Sequence, residues 1–320
     1  MSLSIIIPTY KNVEFLSELF NSIERNEFEG DYEVLIGIDF CYDTLHYVYE
    51  NQFPSNFKFY FFTKNGGPYI IKNTLANISQ FNKILFFDSD DIMMSKMIKE
   101  VDDNLETYEV IKPKYINFKD INGVRNYNNE KAQFGEGVFA IRKSLFLKMN
   151  GFEGWKVAAD SDFMGRLYKR NFNILHTQRV LFHRRNHENS LTIHPDTNLS
   201  SRMRGEYHFL SRKKTDLNFV NETFETGHYK IVDFNNKELM GDDYEIEEVT
   251  QITDAELKKI RYESISNVFS GEPKIIKQPK MVKTINYDKI NNRTNHPISS
   301  KLGPALKKAK LEEIRKNSRR

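Results

Sequence analysis

The chain has 320 residues, 39% of them hydrophobic and 28% charged, with a formal net charge of +3 and one cysteine, Cys41. This is an ordinary globular balance with ample length for a core, and the lone thiol excludes an intrachain disulfide framework or a multi-cysteine zinc site. No window approaches the roughly 18 consecutive apolar residues of a membrane span, and the N-terminus carries no basic segment or cleavage site, so a cytoplasmic, unexported protein without a transmembrane segment is expected.

Leu3 to Ile7 is a β-branched run closed by Pro8-Thr9, and Val13, Leu16, Phe20 and Ile23 then recur at helical spacing. Tyr32 to Ile38 predicts a second strand ending at Asp39, and Phe57 to Phe62 a third ending at Asn65-Gly66-Gly67-Pro68. Pro68 suits the first turn of a helix carrying Ile71, Leu75 and Ile78, which leads into the strand Lys83 to Phe87. Strands alternating with helices predict an α/β domain with a mostly parallel sheet.

A helix is expected around Lys96 to Thr107, an extended segment from Glu109 to Phe118, and an exposed loop over the Asn-rich stretch Asn122 to Asn129. Gly135-Glu136-Gly137 opens a strand from Val138 to Ile141, followed by short helices at Ser144 to Met149 and Asp160 to Arg170. Phe172 to Phe182 reads as a last strand before a polar loop, His183 to Ser190, and a helix follows around Asn198 to Arg212. The expected organisation is a catalytic domain over 1–195, a helical or mixed extension over 196–270, and a Pro-containing linker with a basic amphipathic tail over 271–320. The stretch Glu238 to Glu256 holds eight acids and no Lys or Arg, whereas residues 301–320 carry eight Lys/Arg against two Glu. That basic end either docks on acidic surface or captures a polyanion.

The run ending in Asp88, Asp90 and Asp91 is the sharpest chemical signal, because a buried strand delivers three carboxylates to its C-terminal tip. Such acids repel one another unless a cation compensates, and their hard oxygens suit Mg²⁺ or Mn²⁺ shared with a diphosphate. The alternative is a solvated turn at a helix start.

Three stretches in order resemble the family 2 glycosyltransferases of the GT-A fold. Ser4-Ile5-Ile6-Ile7-Pro8-Thr9-Tyr10-Lys11-Asn12 is similar to the family's opening strand, Asn65-Gly66-Gly67-Pro68 with Asn73 to the start of its donor-site helix, and Phe86-Phe87-Asp88-Ser89-Asp90-Asp91 to its Asp-x-Asp motif. The resemblance continues through Gly137 to Lys143, Gly151-Phe152 and Ala159-Asp160-Ser161-Asp162, and covers about residues 3–190. It implies a Rossmann-like mixed sheet flanked by helices, a nucleotide-sugar donor, most often a UDP-sugar, and a divalent Mn²⁺ or Mg²⁺. By position, it implies that Pro8, Thr9 and Tyr10 border the nucleotide, that Asn65, Gly66, Gly67, Pro68 and Asn73 line the donor site, that Asp39 meets the base and that Asp88 meets the ribose. Asp90 would bind the metal. Asp160 would be the catalytic base of an inverting enzyme and Asp162 its supporting acid. Arg185-Asn186-His187-Glu188-Asn189-Ser190 resembles the family's Arg-x-His-x-x-Ser signature, placing Arg185 at the diphosphate and His187 at the diphosphate or metal, with His183 as the rival ligand. The chain departs from the family's pattern at Phe40-Cys41-Tyr42-Asp43, where an acidic, Gly-Ser-rich continuation is usual, and at Ala159, where an acid is common.

The leading expectation is a metal-dependent inverting glycosyltransferase acting on a saccharide hydroxyl. Alternatives are transfer to hydroxylated bases of DNA, suggested by the basic tail, a non-catalytic nucleotide-sugar-binding module, and a phosphatase of the haloacid dehalogenase type. The last ranks lowest, since its acids sit on a first strand.

Overall fold

In β1 (Ser2–Thr9), Leu3, Ile5 and Ile7 enter one hydrophobic layer and Ile6 the other, so the strand is buried on both faces. The computed structural model of the chain describes residues 2–127, 131–213, 224–234 and 238–242, all within one compact unit, Met1–Val268. The linker and basic tail expected over 271–320, and most of the acidic stretch from Glu238 to Glu256, lie outside the described residues.

The elements follow in order: α1 (Val13–Glu24), β2 (Asp31–Asp39), α2 (Tyr42–Glu50), β3 (Phe57–Phe62), α3 (Pro68–Ile78), β4 (Lys83–Phe86), β5 (Ile92–Met93) and α4 (Met97–Asn104). Then come β6 (Val110–Ile121), β7 (Val124–Asn126), β8 (Gln133–Phe134), β9 (Phe139–Arg142), α5 (Lys143–Lys148), α6 (Ala159–Lys169), β10 (Ile174–Arg185), α7 (Arg202–Lys213), β11 (Tyr229–Asp233) and β12 (Glu238–Asp242). Their order in the sheet is β12-β11-β3-β2-β1-β4-β9-β6-β10-β5. The central strands β3, β2, β1 and β4 run parallel, whereas β9 is inserted antiparallel between β4 and β6. β11 pairs antiparallel with β3, so part of the expected extension completes the same sheet.

Two layers of apolar side chains cover the sheet. One gathers Leu16, Leu19 and Phe20 of α1 with Met97, Ile98 and Val101 of α4. On the other face α3, α5 and α6 pack, and rings of Phe86, Phe139, Phe146, Phe152 and Phe163 touch at centroid distances from 5.0 to 6.0 Å. Each buried ring contributes roughly 1.5–3 kcal/mol. Gly37 in β2 is required by this layer: a Cβ there would lie 2.2 Å from Ile71 Cγ2, so α3 could not approach.

Two expectations are corrected. The loop expected from Asn122 is a tight hairpin between β6 and β7, with Asn122 and Gly123 at φ 52° and 77°, the left-handed pair that two-residue hairpins require. The strand expected to end at Phe182 runs on to Arg185, with His183 opposite Ile116 and Arg185 opposite Phe118 in parallel register. Its polar residues did not end the strand because they find partners inside the fold.

Candidate active site

β1, β2 and β4 end side by side, which brings the residues just beyond them to one edge of the sheet. β1 delivers Pro8 and Thr9, whose Oγ1 is buried without a hydrogen-bond partner among the described residues. Lys11 then turns the chain at φ 55°, leaving Tyr10 exposed. Asn12 Nδ2 donates to Ser89 Oγ at 2.8 Å and ties this loop to the acidic one.

β2 delivers Asp39. Its Oδ1 accepts from the Gly66 amide at 2.9 Å and its Oδ2 from the Gly67 amide at 3.0 Å. Burial lifts this carboxyl to about 6, against the pull of the two amides. Gly67 sits at φ 81°, a conformation open to glycine, and Pro68 begins α3. Asn65 stands exposed in front of them.

Beyond β4, Asp88 Oδ1 accepts from the buried Lys72 of α3 at 2.9 Å, and the same ammonium donates to Gly137 O at 3.0 Å. Asp90 Oδ2 lies 2.8 Å from His187 Nε2. Asp91 is buried: its Oδ1 accepts from the Arg185 amide at 2.9 Å, while Oδ2 has no partner among the described residues. Burial, then the charges of Asp90 and Asp88, push its carboxyl well above the usual range. Burial works against the Arg184 cation, but Asp91, Tyr115 and Asp88 outweigh it and raise its pKa, so Arg184 adds to Lys72 as positive charge near these acids.

Asp160 stands in the first turn of α6. Its Oδ1 accepts two hydrogen bonds, from Tyr69 Oη and from the Ser161 amide, both at 2.9 Å. Its Oδ2 points elsewhere. A Cβ placed on Gly137 would lie 3.4 Å from Asp160 Oδ2 and 3.4 Å from Asp88 Oδ2, so the two carboxylates converge over a residue without a side chain. Asp162, two residues on, faces the core, where Arg166 Nε donates to it at 2.9 Å with both side chains 0% exposed.

The profile of Glycosyl transferase family 2 matches residues 4–175, more than half of the chain. The chain belongs to glycosyl transferase family 2. It is a glycosyltransferase with the α/β fold of the GT-A class. Poly(ribitol-phosphate) beta-N-acetylglucosaminyltransferase TarS from Staphylococcus aureus strains Mu50 and MW2 is 24% identical over 98% of this chain and 54% of its own length. The chain therefore spans about half the length of the curated relatives it matches. Crystal structures of S. aureus TarS 1–349 are similar too: with UDP-GlcNAc at 22% identity, TM-score 0.49, covering 59% of this chain and 60% of that one, and with UDP at 22% and 0.47, covering 58% and 61%.

Within this family 2 domain, Thr9, Asp39, Gly66, Gly67, Asp88, Asp90, Asp160 and His187 gather at the strand ends as the sequence suggested. Three others do not reach the cleft. Asn73 is 0% exposed and its amide is spent on backbone, donating to Phe152 O and Glu225 O and accepting from the Phe152 amide, each at 2.9 Å. Arg185 is buried between the rings of Phe15 and Phe118, with its carbon 4.6 Å from each centroid. Its Nε donates to Asp90 O at 2.9 Å and its two terminal nitrogens pair with Glu18 and Asp120, which leaves nothing for a diphosphate. His183 bonds Tyr127 Oη through Nδ1 at 2.8 Å, and burial, with Arg125 nearby, drives its pKa down to about 4.

Lys72, Tyr69 and Arg184 were missed. Lys72 had a signal, a lysine inside the apolar run of α3, and Arg184 would have followed from carrying β10 through Arg185, since adjacent strand residues face opposite sides. Tyr69 had none.

Proposed function

We propose that this chain is an inverting, divalent-metal-dependent glycosyltransferase that moves a sugar from a UDP-sugar to a saccharide hydroxyl, with N-acetylglucosamine, the unit in its relatives' name, as the first donor to test. The convergence of Asp160 Oδ2 and Asp88 Oδ2 on one point over Gly137 carries this reading, because it sets a proton acceptor beside the donor-side acid. Thr9, Asp39 and Tyr10 border the nucleotide, and Asp88, held by Lys72, meets its ribose. Asp160 takes the proton of the acceptor hydroxyl as that oxygen attacks the anomeric carbon from the side opposite the departing diphosphate.

The carboxylate of Asp90 suits Mn²⁺ or Mg²⁺, and the His187 imidazole beside it offers one nitrogen ligand. Among the described residues no three His, Cys, Asp or Glu side chains cluster as a complete metal cage, so two protein ligands leave room for diphosphate oxygens and water. When bound, the cation would neutralise charge building on the diphosphate. The DNA alternative rests on residues 301–320, outside the described residues, and is not carried further.

The test is UDP release from UDP-GlcNAc with Mn²⁺, in wild type and Asp160→Asn. A loss of about 10²–10⁴-fold in the variant is expected; equal background turnover in both would mean a binding module.

A further inference from the structure

Neither its backbone nor its packing requires Gly137 to be glycine. Its φ lies outside the left-handed region, unlike that of Gly67, and a Cβ placed on it would meet, among the described residues, only Asp160 Oδ2 and Asp88 Oδ2, each at 3.4 Å, an ordinary contact distance. Gly37 is the opposite case, since a Cβ there would collide with α3. What a side chain on Gly137 would take away is the space between the two carboxylates.

The turn that presents this residue is held from both sides. Gly135-Glu136-Gly137 lies between β8 and β9, and two glycines in three residues give a backbone with much freedom to lose. Two buried lysines, each 2% exposed, fix it. Lys72 of α3 donates to Gly137 O at 3.0 Å and to Asp88 Oδ1 at 2.9 Å, so the turn and the donor-side acid hang on one ammonium. Lys112 of β6 donates to Glu136 Oε2 at 2.7 Å and to Tyr168 Oη at 3.2 Å. Tyr168 belongs to α6, the helix that carries Asp160 in its first turn, so the second ammonium links the turn to the helix of the proton acceptor. A buried ammonium is costly unless paired, and each of these is paired with a carboxylate.

We infer that Gly137 is a specificity-determining residue, its bare backbone forming the floor on which the reacting carbon of the donor sugar lies between Asp88 and Asp160, and that Lys112, through Glu136, is a positioning residue that fixes this floor. The inference deepens the glycosyltransferase reading and rests on it. In that reading ribose and diphosphate are bound on the side of Asp88 and Asp90 and the attacking hydroxyl on the side of Asp160, so the carbon that changes partners lies in between. That gap is the one a methyl group on Gly137 would fill.

Gly137→Ala fits the fold without collision and so tests the space alone. Thermal shifts of the full chain would be measured with Mn²⁺ and either UDP or UDP-GlcNAc, in wild type and Gly137→Ala. The variant should keep the wild-type melting temperature and the wild-type response to UDP, and bind UDP-GlcNAc about tenfold more weakly. Glu136→Gln keeps the shape of its side chain and removes the charge that Lys112 holds; UDP release from UDP-GlcNAc should show kcat lower by about tenfold with donor KM little changed. Equal responses of wild type and Gly137→Ala to UDP-GlcNAc, or a UDP response that falls as far as the UDP-GlcNAc response, would overturn the floor. A lower melting temperature of Gly137→Ala without ligand would do the same, because packing would then account for the glycine. A wild-type kcat in Glu136→Gln would overturn the role of Lys112. The transferase reading fails separately, if wild type responds to neither nucleotide.

Discussion

Tyr69 Oη donates to Asp160 Oδ1 at 2.9 Å across 91 residues of sequence, and the Ser161 amide fills the other side of the same oxygen. One carboxylate oxygen is thus held, and Oδ2 is the one that the proposed function makes the proton acceptor. Burial, then the neighbouring Asp160 charge, raise the Tyr69 phenol well above its ordinary pKa, so it remains a donor at working pH. Tyr69→Phe should lower kcat by about tenfold with KM little changed, the cost of one charge-assisted hydrogen bond. In an Asp160→Asn background the same change should add almost nothing. Full additivity would show that Tyr69 only supports packing.

His187→Ala and Asp90→Asn should each weaken metal dependence. Titrating Mn²⁺ against transfer rate should give an apparent affinity lower by on the order of 10–100-fold. His183→Gln should leave that curve in place, because His183 is bonded to Tyr127 and stands apart from the pair. A larger shift for His183 than for His187 would reverse the assignment.

Asp39 makes a pH signature. In the unfolded chain its pKa is near 3.8, and in the fold about 6, so the native state holds its proton more tightly. The stability it contributes is full below about pH 4 and is lost as pH rises through about 6, on the order of 2–3 kcal/mol. Urea unfolding at several pH values should show wild type losing stability relative to Asp39→Asn across that window. A wild type that gains stability relative to Asp39→Asn as pH rises there would refute the assignment.

Arg185 is a brace, and its loss should show as instability. Arg185→Ala leaves Asp120 without its cation, leaves Glu18 to Arg125 alone and unpins the carbonyl of Asp90. A cost of about 1.5–3 kcal/mol is expected, read as a lower urea midpoint. If instead the midpoint holds and only donor KM rises, Arg185 contacts the diphosphate after all.

The strands and the acids at their tips were legible because a short continuous apolar run and an abrupt change from apolar to acidic are local patterns. Asp88 and Asp90 could be found that way, whereas Asp160, in the first turn of a helix, came from the family resemblance. The partners could not: Lys72 reaches Asp88, and Arg185 reaches back to Glu18, through tertiary packing that no short motif encodes. Asn73 illustrates the opposite error. A motif position shared with the family suggested a ligand contact, and the buried amide turned out to hold the loop at Phe152. The end of β10 was misjudged for a similar reason, since polar residues look like loop until their counterions from other segments are known.

One helix connects these observations. The loop that opens α3 offers two amides to Asp39, its first turn sends Tyr69 to Asp160, its next Lys72 to Asp88, and Asn73 then grips the backbone at Phe152. One helix therefore holds Asp39, Asp160 and Asp88 in fixed relation to one another, so a shift of α3 would move all three carboxylates together.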